Sequence, residues 1–159
     1  MFYDTIENNI LFGNPNASKG QIIEAAKKAR CHEFIMNFPD GYETIVGDGG
    51  GTLSGGEKQR ISLARAMLKN APIVMLDEAT ASIDPENEHH IHHAISELTK
   101  GKTVITIAHK LSTVTNADNI IVLKDGEISE QGKHVELLKN DGIYKKFIEI
   151  REKAEGWKL

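Results

Sequence analysis

The string Leu53-Ser54-Gly55-Gly56-Glu57-Lys58-Gln59-Arg60 brings two adjacent glycines to the start of a helix, which suits close contact with a phosphate. Ser54 stands at an N-cap position with Glu57 three residues later, the spacing of a capping box. The unpaired N–H groups and positive dipole end of such a helix favour an anion. Without Cβ atoms, Gly55 and Gly56 let that anion come close to the backbone. A capped helix with a glycine-rich entry and no ligand fits Ser54 to Glu57 equally well; the eight-residue string is more specific. Asp77 and Glu78 follow the apolar run 73–76 and so stand at the C-terminal end of a strand, where open α/β sheets bind ligands. One of two adjacent carboxylates there can hold Mg²⁺, and the other can orient or deprotonate a water. His109 closes the apolar run 103–108, at the same sheet edge, and its imidazole can donate to a phosphoryl oxygen or hold an attacking water.

These groups need a frame, and the pattern along the chain predicts one. Residues 1–15 read as loop and short turns, punctuated by Gly13-Asn14-Pro15. Ser18 and Gln21 form a second capping-box spacing ahead of the stripe Ile22, Ala25, Ala26 and Ala29. A short helix carries Phe34, Ile35 and Phe38, and a glycine-rich loop fills 39–52. The helix after Ser54 runs to about residue 69 and buries Ile61, Ala64, Met67 and Leu68. Then the pattern changes. The runs 73–76, 103–108 and 120–123 read as short strands, the first two covered on both faces. Asp84-Pro85 opens a helix with the stripe Ile91, Ala94, Ile95 and Leu98. Lys124-Asp125-Gly126-Glu127 reads as a hairpin turn, and two short helices close the chain. Alternating strands and helices predict an α/β layer with a parallel sheet.

Composition narrows the function. The 159 residues are 40% hydrophobic and 26% charged, as in an ordinary globular chain, and the net charge of −4 gives no bulk affinity for nucleic acid. No apolar run reaches the roughly 18 residues of a membrane span. Cys31 is the single cysteine, which excludes an internal disulfide and a cysteine-based zinc site and reads as a small core residue. The run His89-His90-Ile91-His92-His93 invites a metal reading, but His89 and His93 lie opposite the apolar stripe and read as a solvated face.

The eight-residue string resembles the signature motif of ATP-binding cassette (ABC) ATPases. Leu76-Asp77-Glu78 resembles a Walker B motif with its catalytic glutamate, and Ala81-Ser82-Ile83-Asp84 resembles the D-loop. Ile107-Ala108-His109-Lys110-Leu111-Ser112 is similar to the switch-histidine segment. Tyr3-Asp4-Thr5-Ile6-Glu7-Asn8-Asn9-Ile10 resembles the stretch after the Q-loop and, with Ala64-Arg65-Ala66 and Glu78-Ala79-Thr80, points to the exporter branch. The resemblance covers nearly the whole chain. It implies a P-loop NTPase-like α/β fold, with a helical signature subdomain at 1–70 and the rest of the core and tail at 71–159. It implies ATP and Mg as cofactors, with Asp77 serving magnesium through water, Glu78 as general base and His109 at the transferring phosphoryl group. Leu53, Ser54, Gly55, Gly56 and Glu57 would contact the ATP of a partner subunit, and Ser82 and Asp84 would lie in the D-loop at the dimer interface. The implied partners are a second nucleotide-binding domain, head to tail, and an ABC transmembrane domain, fused or separate; the place is the cytoplasmic face of a membrane, with no nucleic acid.

The chain departs from that family in one large respect. The family needs a P-loop, Gly-x-x-x-x-Gly-Lys-[Ser/Thr]. Gly101-Lys102-Thr103 has Ser96 where the first glycine belongs and precedes a strand, so it reads as a turn. The expected fold is therefore incomplete, the C-terminal part of a nucleotide-binding domain, and the strands beside the missing one are expected to carry open edges. Before the signature, Val46-Gly47-Asp48-Gly49-Gly50-Gly51 replaces the glutamate and arginine common in the exporter branch.

Overall fold

A computed structural model describes residues 1–47, 53–77, 85–107 and 114–155. The chain divides into two compact units, Met1–Thr106 and Ile107–Leu159. The first holds β1 (Asp4–Thr5), α1 (Ile6–Leu11), α2 (Lys19–Lys28), α3 (His32–Met36), a 3₁₀ turn (Gly41–Glu43), β2 (Ile45–Val46), α4 (Gly55–Lys69), β3 (Ile73–Asp77), α5 (Pro85–Thr99) and β4 (Thr103–Ile107), whose last residue falls at the division.

Residues 1–15 are more ordered than their turn residues predict. Thr5 caps α1, its hydroxyl accepting from Asn8 N at 3.1 Å, and α1 buries Ile6, Asn9 and Ile10. The i, i+4 pair Ile6 and Ile10 outweighs the later punctuation. Asp4 pairs antiparallel with Val46, so β2 forms inside a stretch read as loop. In α2 the capping box is present as predicted, and Ile22, Ala25 and Ala26 are buried.

α4 is the pillar of this unit and packs on α1, α2 and α5. Ile61 and Ala64 sit in one core with Ile6, Ile10, Ile22 and Ile91, while Met67 and Leu68 pack at its margin. Each fully buried aliphatic side chain contributes roughly 1.5–3 kcal/mol relative to exposure. The helix stops at Asn70, in the left-handed conformation at φ 48°, which asparagine tolerates better than most residues.

β3 and β4 are neighbours, and Thr103 N donates to Pro72 O at 3.1 Å. Start lies beside start, a parallel arrangement with α5 as the crossover. Burial corrects the sequence reading. Val74 and Leu76 face the helical core, but the alternate residues Ile73 and Met75 are 55% and 77% exposed. Every residue of β4 is exposed. A parallel sheet needs cover on both faces, and within this unit only one face of β3 receives it.

The second unit holds β5 (Ile120–Lys124), β6 (Glu127–Gly132), α6 (His134–Leu137) and α7 (Ile143–Glu155). β5 and β6 form the expected hairpin, from Ile120↔Gly132 to Lys124↔Glu127. Asp125 and Gly126 take φ of 53° and 85°, the positive pair that a tight two-residue hairpin turn requires. Ile120, Leu137, Tyr144 and Ile148 form its small core. Among the described residues no helix is long and apolar enough to cross a membrane.

Candidate functional site

Ser54 caps α4 with the reciprocal bonds of a capping box. Ser54 N donates to Glu57 Oε2 at 2.8 Å, and Glu57 N donates to Ser54 Oγ at 3.2 Å. The reciprocal cap leaves the first two helical N–H groups, of Gly55 and Gly56, without an intrahelical acceptor. A Cβ built on Gly55 would meet no atom within 4 Å, so the space beside Gly55 is open. Leu53 is buried in the core of this unit, and Gly56 is buried as well. The 15 residues of α4 add their dipole behind the turn. A capped helix start with open space at Gly55 is chemically suited to an anion.

Asp77 ends β3 with its carboxylate exposed, and oxygen donors of this kind suit a hard cation such as Mg²⁺. Among the described residues no hydrogen bond or ion pair joins Asp77 to the Ser54 turn. Glu78, Ser82, Asp84 and His109 lie outside the described residues. The structure therefore brings together Leu53, Ser54, Gly55, Gly56 and Glu57 in a single turn and places Asp77 at a strand end.

Two arginines support the helix that carries the turn, and sequence reading assigned neither a partner. Arg60 is nearly buried, with Nη1 donating to Arg30 O at 3.0 Å. Arg65 donates from Nε to Asn9 O at 2.7 Å. Their signal was a charged residue beside core-facing Ile61 and Ala64, where an amphipathic helix otherwise turns apolar.

Other candidates resolve as scaffold. Lys102 N donates to Thr99 O at 3.1 Å, so Gly101-Lys102 is the predicted turn into β4. His89 and His92 are exposed, but His93 is half-buried rather than solvated, its Nε2 3.3 Å from Arg30 Nη2. Among the described residues no group of three or more His, Cys, Asp or Glu could hold a metal ion. Cys31 is fully buried, its Sγ donating to Ala26 O at 3.3 Å, and burial pushes the thiol up to about 12.

Residues 3–81 match the ABC transporter family. The chain is 52% identical over 155 residues to an ATP-dependent lipid A-core flippase of Syntrophus aciditrophicus (strain SB), covering 98% of this chain and 26% of the flippase. It is 52% identical over 151 residues to the putative multidrug export ATP-binding/permease protein YgaD of Bacillus subtilis (strain 168), covering 95% of this chain and 26% of that protein. A bacterial Atm1-family ABC exporter solved with ATP bound superposes with a TM-score of 0.80 at 43% identity, over 95% of this chain and 26% of the exporter. The chain thus spans about a quarter of the length of these relatives.

Proposed function

Because the chain belongs to the ABC transporter family, as part of an exporter-type nucleotide-binding domain, we propose that it works in ATP hydrolysis that drives transport across a membrane. The observation that carries this reading is the Ser54 turn, a reciprocally capped helix start with open space at Gly55. Leu53, Ser54, Gly55, Gly56 and Glu57 hold the γ-phosphate of ATP bound to a partner subunit. The second subunit is arranged head to tail, and Ser82 and Asp84 line the interface between the two. Asp77 holds Mg²⁺ through water, which neutralises charge on the phosphates. Glu78 accepts a proton from the attacking water, and His109 donates a hydrogen bond to the phosphoryl oxygens as ATP and water become ADP and phosphate. The domain works at the cytoplasmic face, joined to a transmembrane domain that selects the cargo.

A second reading has its own observation. The 159 residues contain no Gly-x-x-x-x-Gly-Lys-[Ser/Thr] string. On that reading the chain is catalytically inactive by itself and lends its signature turn to a partner that carries a P-loop. One experiment separates the two. ATP binding and turnover are measured for the chain alone, for the chain with a P-loop-bearing cassette, and for Glu78→Gln in each setting. Turnover that Glu78→Gln abolishes while binding persists supports the catalytic reading. Turnover only in the mixture, unaffected by Glu78→Gln but lost in Ser54→Arg, supports the lending reading. No turnover in any setting overturns both.

A further inference from the structure

Asn9 is 1% exposed and every polar atom of its side chain is engaged. Its Oδ1 accepts from Phe2 N at 3.0 Å, and its Nδ2 donates to Phe2 O and Thr5 O, each at 3.0 Å. The side chain thereby pairs with the Phe2 backbone as a neighbouring strand residue would. Arg65, on α4, completes the node: Nε donates to Asn9 O at 2.7 Å and Nη2 to Asn9 Oδ1 at 3.2 Å. The same guanidinium lies 5.3 Å from the Phe2 ring centroid and 5.7 Å from that of Phe12. Those rings are 4.9 Å apart and more than half exposed. Backbone contact is equally close, since a Cβ on Gly13 would overlap the Arg65 carbonyl oxygen. At Gly47, φ is 104°, and a Cβ there would come within 2.8 Å of Phe2 O. The exposed aromatic step is thus fastened to α4 by one planar cation and by close backbone contact at its flank.

We propose that Arg65 is a positioning residue, which ties the exposed Phe2–Phe12 step to α4 so that a displacement of the step reaches the Ser54 turn. A fork of two donors beneath two rings resists both sliding and rotation, and a lysine cannot reproduce it. From Arg65 to Ser54 the helix spans roughly 16 Å as a stiff rod. The turn that offers its N–H groups to phosphate therefore moves with a surface patch on the other end of the helix. The functional meaning rests on the phosphate reading of Ser54 to Glu57; the mechanical tie does not.

Hydrogen exchange at the Glu57 and Lys58 amides, which close the first turn of α4, tests the tie without nucleotide. Phe12→Ala is expected to change their exchange roughly threefold or more in the otherwise wild-type chain. In an Arg65→Lys background the same Phe12→Ala change is expected to leave those amides where Arg65→Lys alone puts them. A purely structural arginine would lower the melting temperature in Arg65→Lys and still pass the Phe12 effect on. Equal effects of Phe12→Ala in both backgrounds, or none in the wild type, overturn the proposal. Should Arg65→Lys fail to fold by circular dichroism, Arg65→Gln opens the same fork and carries the test. A failed tie with intact ATP turnover leaves the proposed function standing; an intact tie with no turnover leaves the tie standing.

Discussion

The guanidinium of Arg60 lies 4.8 Å from the centroid of the Phe34 ring, a cation stacked on an aromatic face inside a helical core. Arg60 also donates to the carbonyl of Arg30, and Arg30 itself is left-handed at φ 56°. A non-glycine residue in that conformation costs about 1 kcal/mol, and the Arg60 contact helps offset it. One side chain of α4 therefore holds both the exit of α2 and the ring of α3.

Arg60→Ala is expected to lower stability by roughly 2–4 kcal/mol, combining a lost charged hydrogen bond, a lost cation–π contact and a cavity. Arg60→Lys is expected to recover only part, because an ammonium has no planar face to stack. Urea unfolding monitored by circular dichroism reads both. A loss below about 0.5 kcal/mol for Arg60→Ala would place the arginine among ordinary surface residues and contradict the assignment.

Ser54→Ala isolates the cap from the ligand contact. It removes the hydroxyl that accepts from Glu57 N, so α4 loses about 1 kcal/mol of capping. Ser54→Asp restores a cap acceptor but adds a negative charge where a phosphate would approach. Stability is expected to recover in Ser54→Asp, while ATP turnover of the assembled cassette falls well below that of Ser54→Ala. Parallel urea melts and turnover assays distinguish the two effects; turnover that tracks stability across the series would argue that the turn serves only the helix.

How much of this was legible follows from what each signal depends on. The two capping boxes, at Ser18 and Ser54, are local: spacing of three residues decides them, and both formed as read. The Asp125-Gly126 turn is local too. The burial of 73–76 and 103–107 is not legible, because an apolar run reports what a strand wants covered, and not whether this chain supplies the cover. Arg65 was noted only as part of Ala64-Arg65-Ala66, since its partner Asn9 is 56 residues away and nothing in the sequence joins them. In the candidate site, the cap at Ser54 is legible because consecutive residues form it. The relation of Asp77, Glu78 and His109 depends on strand pairing, and two of those three lie outside the described residues.

Alkaline destabilisation follows from Cys31 and Tyr42. Burial lifts the Cys31 thiol from its ordinary 9.0 to about 12, and burial also raises the Tyr42 phenol, which bonds His32 Nδ1 at 2.9 Å. The unfolded chain loses these protons first, so above pH 9 it binds fewer protons than the folded chain and stability falls as pH rises. The contribution is intact below the unfolded value and is lost between about pH 9 and 12. The slope approaches about 1.4 kcal/mol per pH unit for each group titrating in the unfolded state alone. Urea melts at pH 7, 9 and 10 are expected to show this decline, and Cys31→Ala is expected to flatten its first part. A Cys31→Ala slope equal to wild type between pH 9 and 10 would remove the thiol from the account.

The uncovered strands make a prediction about the chain in isolation. On β3, Ile73 and Met75 are exposed on the face opposite Val74, and on β4, Val104 and Ile105 are 41% and 50% exposed. Contiguous apolar strands in water are templates for association, by face burial or by pairing along an open edge. The isolated chain is therefore expected to associate as its concentration rises, with sedimentation velocity showing species heavier than 17.6 kDa. Met75→Lys puts a charge at the centre of the exposed face without touching the helical core, and is expected to shift the distribution toward monomer. Ile61→Lys would do the reverse, because a lysine in that core would unfold the helices and expose more. A chain that stays monomeric at high concentration, with Met75→Lys indistinguishable from it, would mean that the exposed face is compatible with water in spite of its composition.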